Sequence, residues 1–149
     1  MPDASTTSPA PINNPDAVPV RPTPTQGRVE SVDGDTLVLR LPGTDYRIHL
    51  KRPAGAVPAV GSKLTGWVEV DALHVHAIPA GGTFIEPVFG RPRKLQGRVL
   101  GHEGSRLLVR AGPAAFTCRL TDVRQQASDF PAGSLVNFHA GPGARLVGA

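Results

Sequence analysis

Two aspartates flank a glycine at Asp33-Gly34-Asp35, two histidines stand two positions apart at His74 and His76, and Cys118 is the single thiol. A carboxylate pair suits acid/base work, adjacent imidazoles can begin a metal site, and a thiolate is a nucleophile. None of the three has the surroundings its chemistry needs. Asp33 and Asp35 lie at a hairpin signal, where Asp is favoured because its side chain bonds the local backbone. Cys118 alternates with Phe116 and Leu120, which turns it inward as a small hydrophobe. His74 and His76 share one face of a strand. A metal needs a third ligand, and nothing places His49 or Glu69 beside them. Gly141-Pro142-Gly143 lacks the Lys and Ser or Thr that follow a phosphate loop. The expectation is a non-enzymatic chain without a cofactor, with His74 and His76 as weak metal candidates.

The basic residues offer a different chemistry. Lys and Arg number 16 against 12 Asp and Glu, a formal net charge of +4. Strand alternation that sends Ile48 and Leu50 inward sends Arg47, His49 and Lys51 outward, and the same logic exposes Arg28 and Arg40. In the second half it exposes Arg98, Arg106, Arg110 and Arg119, while Arg91, Arg93 and Lys94 add charge between the halves. Such a stripe can neutralise phosphates. Single-strand binders also stack bases on rings. Trp67 is the one aromatic whose pattern points outward, and packing between the halves is the preferred reading for it. Glu30, Glu69 and Asp71 interrupt the positive field.

These residues must be held by strands. Gln26-Gly27-Arg28-Val29 recurs as Gln96-Gly97-Arg98-Val99, 70 positions on, and seven of the fifteen residues in 26–40 match their partners. The match continues through Tyr46 and Phe116, and Leu50 and Leu120, then resumes at an offset of 72 with Gly61-Ser62 and Gly133-Ser134. Asp33-Gly34 and Glu103-Gly104 mark equivalent hairpins. Val38 is expected outward between Leu37 and Leu39. Leu64, Val68 and Val70 form one inward set, and Leu73, Val75 and Ala77 another. Each half therefore reads as five short strands. A short helix is expected in 122–130, capped by Thr121 or Asp122.

The fold expected is all-β: two tandem small five-stranded barrels related by an internal repeat, OB-like by element order, with an SH3-like barrel as the alternative. The expected domains are 25–78 and 95–149. In the connector 79–94, Phe84, Ile85, Val88 and Phe89 are expected to pack against the barrels. Residues 1–24 hold seven of the 16 prolines and few large apolar groups, so a disordered Pro-rich tail is expected there. No apolar run approaches a membrane span, no secretory pattern opens the chain, and a cytoplasmic location is expected. The leading functional expectation is a binding module with a protein-interaction or structural role and an unknown protein partner. The alternative is single-stranded nucleic acid bound through Arg28, Arg40, Arg47, Lys51, Trp67, Arg98, Arg110 and Arg119.

Overall fold

In the computed structural model, which describes residues 22–55 and 57–148, alternating burial builds strands almost throughout. Strands β1 (Thr25–Asp33) and β2 (Thr36–Arg40) meet at the two-residue turn Gly34-Asp35. Gly34 has φ 61°, a left-handed value suited to glycine at the first turn position. Antiparallel β3 (Arg47–Lys51) follows. Then comes β4 (Lys63–Ile78), a single strand of 16 residues where two were expected. No Gly or Pro interrupts the chain at Asp71-Ala72, and flanking strands engage its backbone on both sides.

The connector contributes β5 (Phe84–Glu86) and β6 (Phe89–Gly90). After it come β7 (Lys94–Glu103), β8 (Arg106–Ala111), β9 (Ala114–Leu120), β10 (Leu135–Ala140) and β11 (Arg145–Val147). All eleven join one mixed sheet. Its ladders trace two circuits. One runs β1–β2–β3–β11–β4 and returns to β1; the other runs β4–β10–β7–β8–β9 and returns to β4. Strand β4 belongs to both. Its parallel ladder with β9 pairs Val70 with Cys118, and β11 pairs in parallel with β3 at Arg145 and Lys51.

The segments alike in sequence carry the same backbone bonds. The β1 register shifts between Val29 and Ser31, and the β7 register between Val99 and Gly101. Val29 N donates to Ser62 O at 3.0 Å, as Val99 N does to Ser134 O at 2.8 Å. Gly61 N donates to Val29 O and Gly133 N to Val99 O, both at 2.7 Å.

One apolar core draws on both halves: Leu37, Leu39, Ile48 and Leu50 join Val109, Phe116, Val136 and Phe138. Of the four connector hydrophobes, Ile85 is buried and Phe84 half-buried, whereas Val88 and Phe89 are exposed. Val38 is buried, against the expectation; it stands opposite His49, whose ring lies edge-on to Phe89. Beyond Ala72 the parity of β4 changes. Phe138 faces Val75 and Ala140 faces Ala72, so a bulge turns both Leu73 and His74 outward. Leu73 is thus exposed, while Val75 stays in the core; Ala77, on the Val75 side beyond the bulge, is also exposed. The expected helix is a single 3-10 turn, Ala127–Asp129. Thr121 instead bonds Ala72 O, and Asp122 accepts from the Arg124 backbone N–H. The tail reading lies outside the described residues except for Pro22–Pro24, which lead into β1 as irregular chain. Among the described residues no helix is long and apolar enough to cross a membrane.

Candidate functional site

Strand register brings part of the predicted basic set into a line. On β1 and β2 Arg28 stands opposite Arg40, and on β2 and β3 Arg40 stands opposite Arg47. On the other side of β1, Arg28 stands opposite Lys63 of β4. Directly opposed residues project to one face, so Lys63, Arg28, Arg40 and Arg47 form a cationic row across four strands. Three interstrand steps give it a length of about 14 Å. A fifth member continues it: Phe89 on β6 stands opposite Arg47.

The row is close-set because of Gly27. A Cβ there would come within 2.5 Å of Leu39 Cγ and 2.9 Å of Arg40 O, so only glycine lets β1 press this closely on β2. Arg28 Nη1 donates to Gly61 O at 2.9 Å, and Arg28 forms no ion pair among the described residues. Arg47 is 2.8 Å from the Glu30 carboxylate. Arg40 and Lys63 form no ion pair among the described residues. Beside the row lies a groove of about 460 Å³ lined by Gln26, Arg28, Pro42, Lys63 and Thr65. A smaller one of about 260 Å³ lies against Arg28, Arg40, Pro42 and Gly43.

The second half holds a shorter version. Arg98 stands opposite Arg110, and its Nη1 donates to Gly133 O at 3.1 Å, just as Arg28 does to Gly61. The flanking positions are Leu135 and Ala115 rather than Lys63 and Arg47.

Other predicted residues are placed elsewhere. Arg119 lies outside both rows and grips Asp71, which also meets Arg145 at 3.5 Å. Glu69 takes Arg106 at 2.7 Å and Arg145 at 3.1 Å. These five groups form an ion network across β4, β8, β9 and β11. The Arg119 hydrogen bonds hold the Asp71 carboxyl below the usual carboxylate range, against a smaller opposing effect of burial. Lys51 is exposed on the Arg47 face of β3, four residues from the row. Trp67 shares the Lys63 face of β4 and is 40% exposed. Its Nε1 donates to Pro22 O at 3.2 Å, and its ring crowds Gly148, so one side of the indole is occupied.

The rings of His74 and His76 lie 4.7 Å apart, and His74 Nδ1 is 2.6 Å from Asp122 Oδ2. Arg124 binds the same carboxylate and is the main cause of its strongly lowered pKa; the His74 contact adds to it. No group of three or more His, Cys, Asp or Glu able to hold a metal occurs among the described residues. Glu69 is engaged with arginines, and His49 lies against Phe89. Cys118 is fully buried, and desolvation pushes its thiol far above the ordinary range.

Lys63 and Phe89 were not in the predicted site. Lys63 shows in the sequence only as one outward residue, because its place in the row depends on the long-range β1–β4 ladder. Phe89 carries no local signal for exposure. Fold and site together define an all-β chain with a cationic cross-strand row ending in an aromatic ring. No protein-family model matches the chain, and neither a curated protein nor a solved structure matches it.

Proposed function

We propose that the chain is a non-enzymatic binding module whose Lys63–Arg28–Arg40–Arg47 row takes the backbone of a single-stranded nucleic acid. The observation that carries this is the alignment of four cations with, among the described residues, a single carboxylate, Glu30, paired to them. Like charges directly opposite on neighbouring strands destabilise a sheet. A polyanion lying across the row relieves that repulsion, and its release of counterions supplies affinity. Trp67, on the Lys63 face, is a secondary contact. Arg98 and Arg110 offer a weaker second site. Lys51 lies too far along β3 to join the row, and the Arg119 guanidinium is committed to Asp71.

The architecture that supports this reading is a pair of small five-stranded barrels, one per pairing circuit, exchanging their last strands through β4 and β11. The repeated hydrogen bonds at Val29 and Val99 favour it. The 3-10 turn between β9 and β10 stands where an OB-type barrel carries its helix, which favours OB-like over SH3-like. A cytoplasmic location fits a reduced, single-cysteine chain.

A protein-interaction role is the second reading, favoured by the neighbouring exposed side chains of Val88 and Phe89. Fluorescence anisotropy with labelled single-stranded DNA and RNA at low salt separates the two. Micromolar binding that weakens with salt, and falls about tenfold or more in the Arg28→Ala/Arg40→Ala double variant, supports the nucleic-acid reading. Absence of binding at 50 mM salt, on the order used to expose phosphate contacts, rejects it in favour of a protein partner.

A further inference from the structure

We infer that Phe89 is a base-stacking platform at the end of the cationic row, so that a single strand would cross β4, β1, β2, β3 and β6 with one base on the Phe89 ring. The inference rests on the nucleic-acid reading and specifies its ligand: an unpaired strand with bases, rather than a sulfated polysaccharide or a duplex.

Phe89 differs from the other phenylalanines in being 61% exposed, whereas Phe116, Phe130 and Phe138 are buried. The ring nevertheless sits on a firm support. Arg47 N donates to Val88 O at 2.8 Å, and the parallel β3–β6 ladder sets Phe89 beside Arg47 and Gly90 beside Ile48. The ring of His49, two residues along β3 on the Arg47 face, meets the Phe89 ring edge-on with centroids 4.8 Å apart and planes at 72°. That contact holds the phenyl group to the cationic face. A water-exposed ring braced by an edge-on histidine, one interstrand step from an arginine row, is the pairing of charge and stacking surface that single-strand binders use. Duplex bases are stacked on one another and offer no free face to such a ring. A sulfated polysaccharide offers charge without bases.

The row and ring together extend about 19 Å, which matches a short site of about four nucleotides, at the lower end for a small barrel. Stacking is tolerant of base identity because every base has a π-face. Weak sequence preference is therefore expected.

The test uses the full chain and three probes of equal charge: oligothymidylate of eight nucleotides, an abasic deoxyribose-phosphate oligomer of the same length, and a heparin oligosaccharide. Each is titrated against the wild type, Phe89→Ala, Phe89→Leu and Phe89→Trp, with thermal melts recorded for every variant. The wild type is expected to prefer oligothymidylate over the abasic oligomer by about tenfold, the scale of one stacked base. Phe89→Ala and Phe89→Leu abolish that preference while keeping the salt dependence, since no phosphate contact is lost. Phe89→Trp retains it. Equal wild-type affinity for thymidylate and the abasic oligomer, or an unchanged preference in folded Phe89→Ala, overturns the stacking role and leaves the cationic row standing. Stronger binding of heparin than of either oligomer overturns it in favour of a polysaccharide. Binding of no probe removes both the inference and the function beneath it.

Discussion

Arg119 holds Asp71 through two parallel hydrogen bonds, Nε to Oδ1 at 2.9 Å and Nη2 to Oδ2 at 3.0 Å. The two residues are 48 positions apart in sequence and face each other across the parallel ladder of β4 and β9. Arg145 of β11 reaches the same carboxylate, so Asp71 ties central β4 to β9 and to β11. Bidentate geometry is the strong form of an ion pair, but these groups touch solvent and are screened.

The pair gives the protein an acid-sensitive seam. The folded Asp71 carboxyl has a pKa below its ordinary value of 3.8, because Arg119 donates to its ionised form. The folded state therefore binds that proton less readily than the unfolded chain does. The resulting stability is complete above the ordinary value and drains away as pH falls through the lower folded one. Asp71→Asn should lower stability at pH 7 by about 1 kcal/mol, the scale of a screened surface pair. The loss should shrink below pH 3.8. Urea titrations at a series of pH values measure both effects.

Glycine at 27 and 97 sets how closely the hairpin strands approach. A Cβ at Gly97 would fall 2.3 Å from Arg110 O, and one at Gly27 would fall 2.5 Å from Leu39 Cγ. Gly97→Ala meets rigid backbone and should cost about 3 kcal/mol. Gly27→Ala meets the Leu39 side chain, which can shift in part, and the Arg40 backbone oxygen only at 2.9 Å, and should cost less, about 2 kcal/mol. Gly34→Ala meets no atom, but its φ of 61° keeps that variant strained as well. Denaturant midpoints rank the three.

The two arginine pairs provide an internal comparison for ligand binding. Arg28 and Arg40 lie within a four-cation row, whereas Arg98 and Arg110 are flanked by Leu135 and Ala115. Arg28→Ala/Arg40→Ala should reduce the salt slope of single-strand binding by about 1.4, the value for two lost phosphate contacts. Arg98→Ala/Arg110→Ala should change it by less than half as much. Equal effects from the two double variants would show that the row has no special role.

Cys118 reports on the seam itself. It is fully buried on β9, paired in the ladder with Val70 of β4, and its thiol resists ionisation. A water-soluble thiol reagent at pH 8 should react at the rate of opening of this ladder, far more slowly than with the unfolded chain. Fast labelling of the native protein would show that β4 and β9 separate readily.

Much of this arrangement is legible in residue order, and the rest depends on distant pairing. The hairpin at Asp33-Gly34, the inward run Leu37, Leu39, Ile48 and Leu50, and the outward Arg28, Arg40 and Arg47 all follow from local alternation. The union of two expected strands into β4 does not, because parallel pairing with β9 and antiparallel pairing with β10 override a weak local break at Asp71-Ala72. The outward turn of Leu73 comes from a bulge between the Ala72–Ala140 and Val75–Phe138 pairs, which no sequence period announces. Lys63 enters the site only through β1–β4 pairing. Phe89 looks like a packing residue by type, and its exposure follows from where β6 lies along β3. Arg119 had the right charge and the right face, but its neighbour across the ladder is Asp71.

The circuit containing β1, β2 and β3 is completed by β11, whose residues 145–147 come 94 positions after the Lys51 they adjoin. During synthesis the first hairpin emerges long before the strand that completes its circuit. Until then β3 keeps an unpaired stretch near Lys51, and β4 lacks its partners on both β9 and β11. Unpaired strands of this kind template association with other chains. The nascent first half is thus the stage most in need of protection on the ribosome, and its circuit should close only once β11 is free of the exit tunnel.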